Sequence, residues 1–139
     1  MYCASATCGK GACVAVGTTE ASNKDPVCGC DGITYWNASV AANHGMSVAS
    51  VGVCGNGGAV CGGFIGAGCP GAAECNHQVP GVSGCGISDS QGACWMLPKT
   101  CPQVIVGASS RICNAVTCKD ECSAIRDGQP WYSDNSCPQ

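Results

Sequence analysis

Apolar positions along this chain fall in short clusters separated by Gly, Pro and polar residues. No apolar run approaches the roughly 20 residues that span a bilayer. Two of the clusters have helical character. Asn-Ala-Ser-Val-Ala-Ala-Asn-His-Gly (37–45) and Asp-Glu-Cys-Ser-Ala-Ile-Arg-Asp-Gly (120–128) each begin on a good N-cap residue and close on glycine, which predicts a short helix in both places. A strand-like stretch follows each, at 46–51 and 129–134. The two regions superimpose at a single offset: Asn37 falls over Asp120, Ser39 over Cys122, Ala41 over Ala124, Gly45 over Gly128 and Cys54 over Cys137. Upstream, Cys8–Cys13 is similar to Cys85–Cys94, so the chain contains an internal repeat. The expected organisation is a truncated Cys-rich stub (1–12), a first unit (13–54), a Gly-rich linker (55–60), a Gly- and Cys-rich module dominated by loops (61–93) and a second unit (94–139).

Cysteine usage sharpens this picture. The 139 residues include 16 cysteines but only three Trp, three Tyr and one Phe. A single large core is therefore not expected, and small modules of this kind rely on covalent staples. An even count implies eight bridges with no free thiol, in an oxidising, extracellular location. Residues 1–13 lack the charged start and apolar stretch of a leader, so a secreted chain is expected to have had its signal peptide removed already. The tryptophans Trp36, Trp95 and Trp131 are expected to be core or interface anchors. Six basic and nine acidic residues give a net charge of −3, with no basic stripe for nucleic acid. Sparse charge and a mean hydropathy of +0.14 fit either close contact with other copies or simple burial of Cys and Ala.

The densest chemistry lies in Asp-Pro-Val-Cys-Gly-Cys-Asp-Gly-Ile-Thr-Tyr-Trp-Asn (25–37). A zinc site needs four ligands, and one Cys-Gly-Cys pair with the isolated His44 and His77 does not supply them. Redox catalysis favours Cys-x-x-Cys at a helix start, which is missing, and no serine has a nucleophile motif around it. No enzyme activity, cofactor or metal is expected. Asn37-Ala38-Ser39 is an N-glycosylation sequon, so Asn37 is either a glycan acceptor or an unmodified structural residue.

The segment Pro26–Asn37 resembles the signature of Kazal-type serine protease inhibitors, Pro-x-Cys-Gly-x-Asp-Gly-x-Thr-Tyr-x-Asn. The resemblance covers about 42 residues of the first unit. In the second unit it rests mainly on cysteine order. It implies a small disulfide-rich fold of two Kazal-like α+β modules, each a short antiparallel sheet with one short helix, separated by the Gly/Cys-rich loop module. The family's second and fourth cysteines are absent together from the first unit, as Glu20 and Ser39, and present in the second as Cys101 and Cys122. Carried over, the family's pairing implies Cys28–Cys54, Cys101–Cys122 and Cys113–Cys137. Its first bridge is rerouted as Cys13–Cys30 and Cys94–Cys118, with Cys3–Cys8 local. Cys61, Cys69, Cys75 and Cys85 pair among themselves in one of three ways.

The same resemblance makes Ala21, Ser22 and Asn23 the inhibitory loop, with Ser22-Asn23 as the reactive bond and the Asn37 amide holding the loop. Against this, Glu20 removes the bridge that rigidifies the loop, which is expected to be otherwise untethered. In the second unit Ile105 and Val106 read as a buried strand instead of a bait loop. Two functions follow. The favoured one is a secreted, non-enzymatic building block of an extracellular filament, sheath or surface layer, with other copies of itself as partners. The alternative is an inhibitor of a secreted serine protease.

Overall fold

The computed structural model describes residues 2–4, 8, 12–14, 20–55, 58–62, 68–86, 91–101, 109–134 and 136–137. In chain order the elements are β1 (Tyr2–Ala4), β2 (Ala12–Val14), β3 (Val27–Gly29), β4 (Thr34–Tyr35), α1 (Ala38–Asn43), β5 (Val48–Val51), β6 (Val60–Gly62), β7 (Glu74–Asn76), a 3-10 turn (Val82–Gly86), β8 (Gln91–Met96), β9 (Ser110–Ile112), β10 (Cys118–Lys119), α2 (Glu121–Arg126) and β11 (Trp131–Ser133). The protein is small and disulfide-rich, with short sheets and two short α-helices among the described residues. No helix there is long and apolar enough to cross a membrane.

Two units result, and their boundaries differ from the five expected segments. One comprises Met1–Ala59 with Cys94–Thr100, the other Val60–Ala93 with Cys101–Gln139. The physical reasons are specific. The end of β8 pairs in parallel with β4 (Thr34 opposite Trp95, Tyr35 opposite Met96), which draws residues 94–100 into the first unit. Among its described residues the Gly/Cys-rich run 61–93 also holds short regular pieces. It carries β6, β7 and the start of β8, and Cys85 is bonded to Cys113 beside β9.

In the first unit β3 pairs antiparallel with both β4 and β5. Helix α1 packs over this sheet, burying Val40 and Ala41 with Ile33, Tyr35, Trp36, Trp95, Met96 and Leu97. The glycine of Cys28-Gly29-Cys30 has a steric cause. A Cβ there would sit 2.6 Å from the Asp31 carboxylate and from the Tyr35 ring. Those two groups bond each other, Tyr35 donating its hydroxyl to Asp31 Oδ2 at 2.8 Å. Burial, then the hydrogen bond and charge of Asp31, hold the phenol well above its usual pKa.

The second unit repeats the plan: β9 pairs antiparallel with β10 and β11, and α2 buries Cys122, Ala124 and Ile125. Both helices begin at the expected caps. Val40 N–H donates to the Asn37 side chain and Ser123 N–H to that of Asp120, each at 3.0 Å. Trp131 is 1 % exposed, and its indole donates to the buried Asn76 Oδ1 at 2.8 Å.

Cys28–Cys54 and Cys101–Cys122 are bonded, pairs that the sequence reading also named. Others differ. Cys30 is bonded to Cys8, not Cys13, which also removes Cys3–Cys8; the β1–β2 register instead sets Cys3 opposite Cys13. Cys118–Cys137 and Cys85–Cys113 replace Cys94–Cys118 and Cys113–Cys137. Cys61 is bonded to Cys75, while Cys85 leaves the expected group of four; Cys69 and Cys94 are disulfide-bonded as well.

Sheet register explains the change. The offset that aligns the helices puts Gly29, opposite Val48, over Ile112, opposite Trp131. It follows that Cys30 matches Cys113, and Cys28 matches Arg111. The partner of the terminal cysteine has moved one strand across, from Cys28 on β3 to Cys118 on β10. Arg111 takes the vacated place and reaches the sulfurs of Cys118 (3.4 Å) and Cys137 (3.8 Å). Its Nε donates to Asp134 Oδ2 at 2.7 Å.

Bonds from the Ser136 hydroxyl and backbone N–H, and then from Arg111, lower Asp134 from 3.8 to about 2. A carboxylate with a depressed folded pKa contributes stability that is complete above its unfolded value and lost as pH falls through the folded one. Wild type is therefore expected to exceed Asp134→Asn in unfolding midpoint near neutral pH, with the gap closing between 3.8 and about 2. Denaturant titrations across that range check this; a gap that stays constant with pH would contradict it.

Candidate functional site

Residues 21–24 form an exposed segment without regular structure, between Glu20 and β3. A chain of this kind, rich in small polar residues and lacking a staple, is expected to move. Here it is held by four side chains that come from the ends of β4 and α1 and from its own flank.

The main anchor is Asn37. It is 4 % exposed, and every polar atom of its amide is used. Nδ2 donates to the carbonyl oxygens of Ala21 (2.9 Å) and Asn23 (2.8 Å). Oδ1 accepts from Val40 N–H, which caps α1, and from the Ser39 hydroxyl at 2.6 Å. The same hydroxyl accepts from Ala21 N–H at 2.9 Å, so a relay runs from the loop backbone through Ser39 to the helix cap. One side chain thus ties a loop to a helix start, and a helix start is fixed by its own sheet.

Glu20 forms the second anchor. Its Oε1 accepts from Lys99 N–H at 2.7 Å and its Oε2 from Asn43 Nδ2 at 3.4 Å. Polar contacts therefore stand where the resemblance led one to expect a missing bridge. The expectation of an untethered loop over 15–25 is corrected for residues 20–25, where the Ser39 hydroxyl accepts from Ala21 N–H and Glu20 from Lys99 N–H, so neither is a passive vacancy; residues 15–19 lie outside the described residues. In the second unit Cys101–Cys122 occupies the corresponding place, with Cα atoms 5.6 Å apart.

Trp36 supplies the third contact. Its indole N–H donates to the Ser22 carbonyl at 2.9 Å. Lys24 lies over two rings, 5.9 Å from the Trp36 centroid and 5.7 Å from that of Trp95, and the two indoles are tilted against each other at 6.2 Å. Cation–π contacts of this kind contribute roughly 0.5–1 kcal/mol at exposed sites. Sequence reasoning treated Trp36 as a core or interface anchor, and nothing in its spacing marks the indole as a loop donor.

The remaining candidates resolve simply. The Asn37 sequon is closed in the folded chain, because its amide nitrogen is buried and bonded twice. Cys28 and Cys30 lie in different bridges. Among the described residues two clusters have metal-like spacing, Cys61 with Cys69 and Cys75, and Cys101 with Asp120 and Cys122. All of their sulfurs are in disulfides, so they have no thiolate to offer. His44 caps the end of α1 and is exposed, and His77 Nδ1 lies 4.0 Å from the Cys75 sulfur. Ile105 and Val106 fall outside the described residues.

The unit-two counterpart of Asn37 is Asp120. It caps α2 as Asn37 caps α1, but a carboxylate has no N–H to give to a carbonyl. The double donation that Asn37 makes to 21–24 therefore has no equivalent at Asp120. No protein-family model, no curated protein and no solved structure matches this chain.

Proposed function

We propose that the first unit is a Kazal-like module that presents residues 21–24 to the cleft of a secreted serine protease as a held, substrate-like segment. The observation that carries this is the Asn37 amide bonded to the carbonyls on both sides of Ser22, those of Ala21 and Asn23. A peptide fixed before it binds loses less freedom on binding, and it resists the separation of its ends after cleavage. Ser22 is exposed and would enter the specificity pocket, with Ser22-Asn23 as the bond offered. A small hydroxyl side chain suits a small or tolerant pocket. The protein needs no catalytic group or cofactor for this.

Inhibition of subtilisin or elastase is expected at stoichiometric concentrations, with little effect on trypsin or chymotrypsin. Ser22→Lys is expected to transfer activity to trypsin by at least an order of magnitude, because a long cation suits that pocket. Titration of the four proteases with both proteins tests this. No inhibition of any of them by either protein would remove the hypothesis.

An assembly block remains the second reading, and one feature favours it. Among the described residues strand β5 pairs only with β3, and Val51, its last residue, is 88 % exposed. The segment from Gly45 to Gly58 carries no charge to protect this edge. Association through such an edge would be nearly insensitive to salt. Sedimentation at low and high salt separates the readings: a monomer at high concentration under both conditions would exclude assembly.

A further inference from the structure

The Ser22 carbonyl is already occupied in the free protein. Its oxygen accepts the Trp36 indole N–H at 2.9 Å, and the indole is 4 % exposed within the core. Under the reading of residues 21–24 as a protease ligand, on which this inference rests, Ser22 is the residue whose carbonyl faces the enzyme's oxyanion donors. Such a site brings preorganised N–H groups to that one oxygen. A carbonyl oxygen has two lone pairs, so two enzyme donors need both of them. The flanking carbonyls present no such conflict, since Asn37 holds them on the protein's own side.

We propose that Trp36 is a positioning residue that latches the loop: its indole N–H competes with the protease's oxyanion donors for the Ser22 carbonyl, and tight binding requires that this bond be released. The latch is well supported from behind. The Trp36 ring lies against Trp95 with centroids 6.2 Å apart, the Trp36 backbone N–H donates to Met96 O, and its carbonyl accepts from Asp25 N–H, each of these last two at 2.9 Å. The ring cannot swing away alone, so the loop must lift from it.

The binding-competent form is then a minor fraction, and apparent affinity falls by that fraction. A single neutral hydrogen bond corresponds to a factor of about ten at most. The latch therefore acts mainly on the association rate. General loosening of the loop does the opposite: it raises dissociation and cleavage without speeding association.

Trp36→Phe keeps an aromatic ring and removes the donor. With subtilisin and elastase as probes, this variant is expected to associate about tenfold faster than wild type and to bind correspondingly tighter, with no rise in cleavage at Ser22-Asn23. A measurement on unaltered protein accompanies it. Of the three tryptophan indole protons seen by NMR, that of Trp36 is expected to exchange slowly in the free chain and to lose protection in equimolar subtilisin. Wild-type inhibition that Trp36→Phe leaves unchanged or weakens, or an indole proton unprotected in the free chain, overturns the latch alone. Absence of inhibition by both proteins overturns the protease reading and the latch with it. Inhibition by the variant but not by wild type supports both.

Discussion

Full reduction is expected to unfold both units at temperatures where the oxidised protein is unchanged. The described bridges span 14 to 28 residues of sequence. Closing loops of that size restricts the unfolded chain by about 3 kcal/mol each. The first unit holds two described bridges, Cys8–Cys30 and Cys28–Cys54, and the second holds four. Losing them removes stabilisation of the order of the whole stability of a small domain, about 5–15 kcal/mol. Noncovalent burial is not expected to compensate, since among the described residues the aromatic core is limited to Tyr35, Trp36, Trp95 and Trp131. Near-ultraviolet circular dichroism with temperature, with and without a phosphine reductant, measures this. A native spectrum that survives verified reduction would show that packing alone suffices.

Asn37→Ala is expected to have the largest effect of any single change at the loop. It removes an N-cap, about 1 kcal/mol, and two donations to loop carbonyls, about 1 kcal/mol each. With the buried space left behind, a loss of about 2–4 kcal/mol in the first unit follows. Asn37→Asp separates the contributions. A carboxylate still accepts from Val40 N–H but cannot donate to Ala21 or Asn23. The helix should therefore remain while the loop is freed. Limited proteolysis should cut both variants within residues 21–24 faster than wild type, and chemical unfolding should show the alanine variant alone losing helix stability. Equal loss of stability in the two variants would mean that the loop bonds, and not the cap, account for Asn37.

Local elements were legible in the sequence because their determinants are local. A capping side chain, a small apolar face and a closing glycine suffice for α1 and α2, and both helices lie within the expected segments. The disulfides were less legible. Cys-Gly-Cys invites alignment of Cys28 and Cys30 with Cys113 and Cys118, yet register matches Cys30 to Cys113 and places Arg111 where Cys28 stands. A bridge needs two Cβ atoms to face each other, and strand pairing decides that, not spacing. The loop was misjudged for a related reason. Absence of a bridge at Glu20 and Ser39 is visible in the sequence, whereas the hydroxyl relay, the Lys99 backbone N–H and the indole of Trp36 come together only in the fold.

The bonds from Asn37, Ser39 and Trp36 to residues 21–23 have one thing in common. They end on main-chain atoms: three carbonyl oxygens and one amide nitrogen. None asks anything of the side chains of Ala21, Ser22 or Asn23, which are exposed. What is gripped and what is displayed are therefore chemically separate. Mutation can rewrite the displayed letters without disturbing the clamp, provided each newcomer tolerates the local backbone. Such a segment is a cassette, open to sequence drift and to randomised libraries at the bench, with Trp36, Asn37 and Ser39 as its fixed frame.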